Sequence, residues 1–481
     1  MTKISNYFWN NLENFFSYTA LVDTAIGRSI TYEELESRAQ VLAEKLKLSD
    51  KGMVFLFTTN NSESIISYIA ALKSDNAVLL LDEKLNDEIR NGLVENYKPD
   101  FIISSNAIIP ELYSFSFKYK SLNFIKRTES NSINIFPELS VLLSTSGTTG
   151  SPKLVRLAYK NIQSNAESIA EYLHIDENER PITTLPINYS FGLSVVNSHL
   201  LKGATIVLTE KTVFFRDFWN LFNENECTSF AGVPYTYTML KRIGFDKIEL
   251  PTLKYFTQAG GKLSEEFIKQ FNEYAVKKKV KFYVMYGQTE ATARITYVPP
   301  EKLSDKIGSI GISIPGGDLK IVNNGKEVSN PDEVGEIVYQ GNNVMFGYAE
   351  TKGDLSKGDE LKGVLTTGDL GYKDADGFFY VTGRMKRFIK IFGLRINLDE
   401  VQKMIENHFK ISVACTGKDE LLKILVHSDD HLTEVKVKEE VMKMYKLSFK
   451  SLVIKSTTEI PTNSSGKYDY KKINEMFDAE Y

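Results

Sequence analysis

The ten residues STSGTTGSPK, 144–153, set hydroxyls at Ser144, Thr145, Ser146, Thr148 and Thr149 around Gly147 and Gly150, and end on a cation, Lys153. Such glycines let backbone N–H groups close on phosphate oxygens, while the hydroxyls and the ammonium add donors. The composition therefore points to a phosphate loop. It is not the P-loop of the common NTPases: Lys153 follows Gly150 by three positions, and Leu154 stands where that motif needs Ser or Thr for magnesium. It does not fit G-x-G-x-x-G either, which withdraws support from a dinucleotide fold. Taken singly, Glu290 reads as a helix-start carboxylate and Asp369 as a turn residue. Arg384, Lys386 and Lys467 read singly as solvated charges.

The elements that must position such a loop alternate. TYEELESRAQVLAEKLK, from Thr31, spaces its apolar residues as a helix does, with Thr31 and Glu34 set for a capping box. MVFLFT reads as a buried strand, SESIISYIAALKS as a helix and AVLLLD as a strand. The same rhythm returns between 161 and 290, with helices near 161–173, 214–225 and 264–279 and strands at ATIVLT, SFAGV and KFYVMYG. Such alternation predicts α/β architecture: a large N-terminal domain of two helix-covered, mainly parallel sheets. After about residue 305, short glycine-punctuated strands (GEIVYQG, GFFYVTGR) predict a small β-barrel-like unit joined by tight turns. Basic residues outnumber acidic ones in 384–481, whereas acidic ones lead in 1–383. A small α+β C-terminal domain, 384–481, is therefore expected after a larger domain, 1–383.

Length and composition narrow the class. A chain of 481 residues is too long for one ordinary core. A net charge of −4 gives no electrostatic reason to bind nucleic acid. No apolar run approaches the roughly 20 residues of a membrane span, and the N-terminal stretch does not read as a signal peptide. The two cysteines, Cys227 and Cys415, and the five histidines form no metal or redox spacing. A cytoplasmic enzyme is expected, without nucleic-acid or membrane partners.

Six stretches in order, STSGTTGSPK, YGQTE (286–290), GEIVYQGNNVMFGY (335–348), TTGDLG (366–371), GRMKRFIKIFGLRINLDEVQ (383–402) and PTNSSGK (461–467), resemble the adenylate-forming superfamily. That superfamily contains acyl-CoA synthetases, aryl-CoA ligases, peptide-synthetase adenylation domains and firefly luciferase. The resemblance implies ATP and Mg²⁺, and a reaction in which a carboxylate is adenylated with release of pyrophosphate and then passed to a thiol. It implies that 144–153 cradles the β- and γ-phosphates, that Thr289 contacts the α-phosphate and that Glu290 helps hold the metal. Tyr286, with Gly287, Gln288 and Gly261, would line the nucleotide. Asp369 would take the ribose hydroxyls, and Arg384 would reach the ribose or phosphate side. Lys467 would bridge carboxylate and nucleotide in the transition state. Lys386 matches the hinge about which the small mobile domain turns, and Gly393 the tunnel for a pantetheine arm.

The acid and the acceptor are read from smaller differences. Peptide-synthetase domains hold the substrate α-ammonium with an Asp; the matching stretch here, YSFGLSVV, has Gly192 at that position. A buried ammonium without a carboxylate is costly, which disfavours an α-amino acid. Tyr189, in PINYSFG, stands where acyl- and aryl-CoA ligases carry an aromatic gate. Leu193 and Val196 suggest an apolar wall, with core packing as the alternative, and Gly260 and Gly261 leave room beside the acyl group. The expectation is an acid–thiol ligase for a small, non-amino carboxylic acid, with coenzyme A or the phosphopantetheine of an acyl carrier protein as acceptor. The alternative is an amino-acid-activating carrier-protein ligase.

Overall fold

The computed structural model describes residues 7–106, 109–129, 134–144, 153–384, 387–391, 394–445, 447–462 and 468–478. By packing, the chain forms two compact units, 1–318 with 339–365 and 319–338 with 366–481.

The first unit holds two sheets. Strand Met53–Thr58 pairs in parallel with Ala77–Asp82 and Phe101–Ser104, and Ala77–Asp82 pairs in parallel with Leu139–Ser144. Leu139–Ser144 then runs antiparallel to Leu154–Ala158, so the hydroxyl- and glycine-rich stretch joins two adjacent strands. These strands lie within an eight-stranded sheet. In a nine-stranded second sheet, Pro181–Ile182, Ile206–Leu208, Ser229–Gly232, Tyr255–Gln258 and Lys281–Tyr286 form the parallel centre.

Period-two alternation explains why both faces of the first sheet are covered. Val54 and Leu56 point into a core shared with helices Tyr32–Leu46, Ser62–Lys73, Tyr159–Leu173 and Ser190–Leu201, and with Leu21, Ile206 and Leu208 of the second sheet. These four helices therefore fill the space between the sheets. Met53, Phe55 and Phe57 point the other way, onto Leu93, Val94 and Tyr97 of helix Asp87–Tyr97. A strand buried on both faces reads as a continuous apolar run, as MVFLFT does. The capping box closes as expected: Glu34 N–H donates to Thr31 Oγ1 at 3.1 Å, and the Thr31 N–H to the Glu34 carboxylate at 3.4 Å.

In the second unit, the expected barrel-like region is an open sheet ordered 326–327, 317–323, 335–341, 364–373, 379–384, with no closed barrel among the described residues. It is followed by the hairpin Phe388–Ile391 and Leu394–Asn397, then by the three-stranded sheet Val413–Lys418, Leu421–His427, Leu452–Thr457 with helices Leu398–Phe409, His431–Tyr445 and Tyr470–Asp478. This α+β part has its own core, in which Val401, Ile405, Val413, Ile424, Val437 and Val441 pack together. Both cysteines are buried as free thiols.

Candidate functional site

The acidic end of YGQTE lies on a turn held under constraint. Strand Lys281–Tyr286 ends the parallel sheet, and Thr289–Ala291 forms one 3₁₀ turn. Next comes Thr292 at φ 64°, a backbone region a β-branched residue rarely enters. Its hydroxyl is fixed on the Asn343 carbonyl at 2.7 Å. The Asn343 side-chain amide donates to the carbonyls of Ala291 and Arg294 at 2.9 and 2.8 Å, and accepts from the Tyr339 hydroxyl at 2.8 Å. Gly287 is needed for the same turn, since a Cβ there would overlap the Ala293 carbonyl. The strained geometry is thus locked from 335–348, a separate motif.

That lock brings three groups together. Tyr348, on strand Gly347–Ala349, donates its hydroxyl to Glu290 Oε1 at 2.8 Å. Burial, and then the Glu290 charge, push the Tyr348 phenol far up, so it stays a neutral donor. Lys153 lies over the ring, its Nζ 5.5 Å from the centroid and 2.7 Å from Glu350 Oε1. Strand Gly347–Ala349 pairs directly with Leu154–Ala158, which places Lys153 and Tyr348 at the same sheet edge. The cation expected for phosphate and the carboxylate expected for metal therefore flank one phenol. Neither Tyr348 nor Glu350 was singled out from sequence; Tyr348 closes the quoted stretch GNNVMFGY, which was the available signal. Losing the phenol oxygen in Tyr348→Phe should raise the Mg²⁺ concentration for half-maximal turnover several-fold with little change in thermal midpoint. An unchanged Mg²⁺ titration would remove Tyr348 from the site.

Tyr286 and Gln288 face one another, with Gln288 Nε2 donating to the Tyr286 hydroxyl at 3.0 Å. Thr289 Oγ1 lies 3.2 Å from Ser190 Oγ, at the start of helix Ser190–Leu201, so that helix begins beside the expected α-phosphate contact. Ser190 is a third residue that sequence reasoning passed over. Tyr189 precedes it, and Gly260, at φ 82°, meets its hydroxyl so closely that a Cβ would come within 2.6 Å. The Gly261 carbonyl accepts from Gln258 Nε2 at 2.7 Å. Tyr189, Gly260 and Gly261 are thus neighbours.

Three expected pocket residues do other work. Leu193 and Val196 lie in the core between the sheets, the packing alternative of the sequence reading. Their helix is buried nearly all round, so spacing alone could not separate core from pocket. Gly192 turns its missing side chain onto the Pro186 carbonyl, where a Cβ would collide with backbone. It is a packing glycine. Gly192→Ala should cost about 1–3 kcal/mol, read as a lowered denaturant midpoint; wild-type stability would show that the close approach is not enforced.

In the second unit, Asp369 on strand Val364–Lys373 is buried, and its Oδ1 accepts from Arg384 Nε at 3.1 Å. The two residues stand opposite each other across paired strands. Asp399 binds on both sides of 385–386: its carboxylate accepts from the Arg384 N–H at 3.0 Å and from Arg387 Nε at 2.5 Å. Ser144 ends strand Leu139–Ser144 and is exposed. Thr145, Ser146, Gly147, Thr148, Thr149 and Gly150, with Lys386, Gly393 and Lys467, lie outside the described residues.

Among the described residues, no group of three His, Cys, Asp or Glu could hold a metal ion. Mg²⁺ bound to a nucleotide does not require one, because it keeps waters and takes one or two carboxylates besides the phosphates. Glu290, oriented through one oxygen by Tyr348, fits that donor set. No described helix is long and apolar enough to cross a membrane.

The sequence pattern of a family described as AMP-binding enzyme matches residues 8–349. The 2-succinylbenzoate-CoA ligase of Bacillus subtilis strain 168 is 27% identical over 462 residues, covering 92% of each chain. Among solved structures, the o-succinylbenzoate CoA synthetase of Bacillus subtilis in complex with the acyl-adenylate intermediate OSB-AMP superposes with a TM-score of 0.75 at 23% identity, over 97% of each chain. ATP-bound MatB from Rhodopseudomonas palustris gives 0.78 at 20% identity, over 98% of each chain. At these identities the structural likeness establishes the fold.

Proposed function

The chain belongs to the AMP-binding enzyme family, and from that premise we propose that it joins a small carboxylic acid to the thiol of coenzyme A at the expense of ATP. It is an ATP-dependent acid–thiol ligase that works through an acyl adenylate. A carboxylate oxygen of the acid attacks the α-phosphorus, and pyrophosphate leaves. The coenzyme A thiolate then attacks the acyl carbonyl, the thioester forms and AMP leaves. Coenzyme A is preferred to a carrier protein because the relatives are named as CoA ligases. 2-Succinylbenzoate, named for those relatives, is the first acid to test. A cytoplasmic setting agrees with this chemistry.

The observation that carries the reading is the junction of Glu290, Tyr348 and Lys153, three groups from three separate motifs meeting at one sheet edge. A triphosphate attacked by an anion needs its charge met at several points at once. Lys153 and the loop before it would meet the β- and γ-phosphates, and Thr289 the α-phosphate. Glu290 would hold Mg²⁺, which, when bound, draws charge from the phosphate oxygens. Tyr286 would face adenine, with Gly287, Gln288 and Gly261 around the nucleotide, and Tyr189 with Gly260 would border the acyl group. Asp369 would accept from the ribose hydroxyls, and the contact with the exposed Arg384 already holds its carboxylate in one orientation.

Residues 1–383 and 384–481 are taken as the two moving parts, turning at Lys386. Lys467 would serve adenylation, and the turn at Gly393 would serve thiol transfer. A panel of carboxylic acids with ATP, first without and then with coenzyme A, tests the reaction. AMP and pyrophosphate should appear only with an acid, and acyl-CoA only once coenzyme A is added. ADP as the nucleotide product would overturn the reading.

A further inference from the structure

Strand Leu154–Ala158 is apolar but for Arg156, which is as buried as Leu154, Val155, Leu157 and Ala158 around it, at 1% exposed. Such a position ordinarily takes an apolar side chain, because a desolvated guanidinium is costly unless its donors are met. Here they are met, and by one segment. Nε donates to the Tyr348 carbonyl at 3.1 Å, and Nη1 to the carbonyls of Lys357 and Gly358, the latter at 3.4 Å. Nη2 donates to the Phe346 carbonyl at 3.3 Å and to the Glu360 carboxylate. A guanidinium has five N–H donors, and these five acceptors all lie within 346–360.

The main chain adds to the contact. The Phe346 N–H donates to the Arg156 carbonyl at 2.9 Å, and Gly347 pairs with Arg156 across the strands. Gly347, at φ 135°, has no room for a side chain, since a Cβ would collide with the Arg156 guanidinium and the Glu360 carboxylate. The Glu360 N–H donates to the Phe346 carbonyl at 2.8 Å, so the segment closes on itself around the guanidinium. Tyr348 sits in the middle, with its carbonyl tied to Arg156 and its hydroxyl to Glu290. Two residues on, Glu350 holds Lys153. The segment thus carries both contacts of the candidate site, and Arg156 is the cation it wraps. Buried as it is, Arg156 cannot itself meet a phosphate.

We propose that Arg156 is a positioning residue for Mg·ATP: it fixes strand Gly347–Ala349 so that the Tyr348 hydroxyl stays on Glu290 and the carboxylate keeps one orientation. The proposal rests on the reading of Glu290 as the carboxylate that holds the metal. A polar network satisfied at every donor specifies one arrangement, where an apolar contact would permit several. A merely structural arginine would add stability and leave metal binding alone. An arginine that acts through Tyr348 must share its effect with Tyr348.

Calorimetric titration with ATP, with and without Mg²⁺, tests this independently of turnover. In the wild type, Mg²⁺ should tighten ATP binding. Arg156→Met and Tyr348→Phe should each cut that gain by roughly fivefold, and the double variant should cut it no further than either alone. Losses that multiply in the double variant would overturn the proposal. So would an Arg156→Met protein that keeps the wild-type gain, whatever its thermal midpoint. Should Arg156→Met fail to fold, Glu360→Ala, at a half-exposed position, takes its place. It should cut the gain by about twofold in the wild type and leave it unchanged in Tyr348→Phe; an equal cut in both, or none in either, would overturn the proposal. Wild-type ATP binding that ignores Mg²⁺ would take the metal from Glu290 and the proposal with it. Pyrophosphate exchange is read separately: its absence with every acid, beside the expected binding results, would sink the ligase reading and leave Arg156 its role.

Discussion

Lys467→Ala is expected to lower acid-dependent pyrophosphate exchange by roughly 10²–10³-fold, the scale for removing one preorganised group that meets developing charge. Thioester formation from supplied acyl adenylate and coenzyme A should stay within about threefold of wild type. The split follows from the two half-reactions. The first brings an anion against a polyphosphate and needs a cation at the point of attack; the second attacks a neutral carbonyl already activated by AMP. Residues flanking 463–467 are well anchored: Thr462 and Tyr468 form a β-bridge, the Asp469 N–H donates to the Pro461 carbonyl at 2.9 Å, and Ile460 packs with Ile473 and Phe477. Both ends of the segment carrying Lys467 are thus tied to the small core of the C-terminal part, and Ala at 467 should leave the thermal midpoint unchanged. An equal fall in both half-reactions would contradict a lysine that serves adenylation alone.

Glu290→Ala should reduce kcat/KM for Mg·ATP by about 10²-fold, through a higher metal requirement. Its carboxylate is oriented through Oε1 by the half-buried Tyr348 hydroxyl, and its backbone carbonyl accepts from the Met345 N–H at 2.8 Å. The side chain can therefore be removed without undoing the turn. Glu290→Gln, which keeps the shape but not the charge, should recover the Tyr348 hydrogen bond and little of the Mg²⁺ affinity. Full activity of either variant across a Mg²⁺ titration would take Glu290 out of metal binding.

The fold was legible where pattern and burial coincide. MVFLFT and AVLLLD are continuous apolar runs because both of their faces are covered, and Thr31 with Glu34 announced a helix start that the structure closes. The open form of the five-stranded sheet was not legible, since glycine-rich short strands suit closed and open sheets alike. In the candidate site, motifs singled out Glu290 and Lys153 but not the phenol they both approach, because its two partners come from distant parts of the chain. The packing role of Gly192 was hidden for a related reason. Sequence shows that a side chain is missing, not whether it would meet a ligand or, as here, the Pro186 backbone.

The attack of a carboxyl oxygen on the α-phosphorus is tested most directly by isotope transfer. The acid, labelled with ¹⁸O in its carboxyl group, is turned over with ATP and coenzyme A, and the released nucleotide is analysed by mass spectrometry. One ¹⁸O should appear in the phosphate of AMP, with pyrophosphate unlabelled. Unlabelled AMP, or ¹⁸O in inorganic phosphate beside ADP, would contradict the adenylate route.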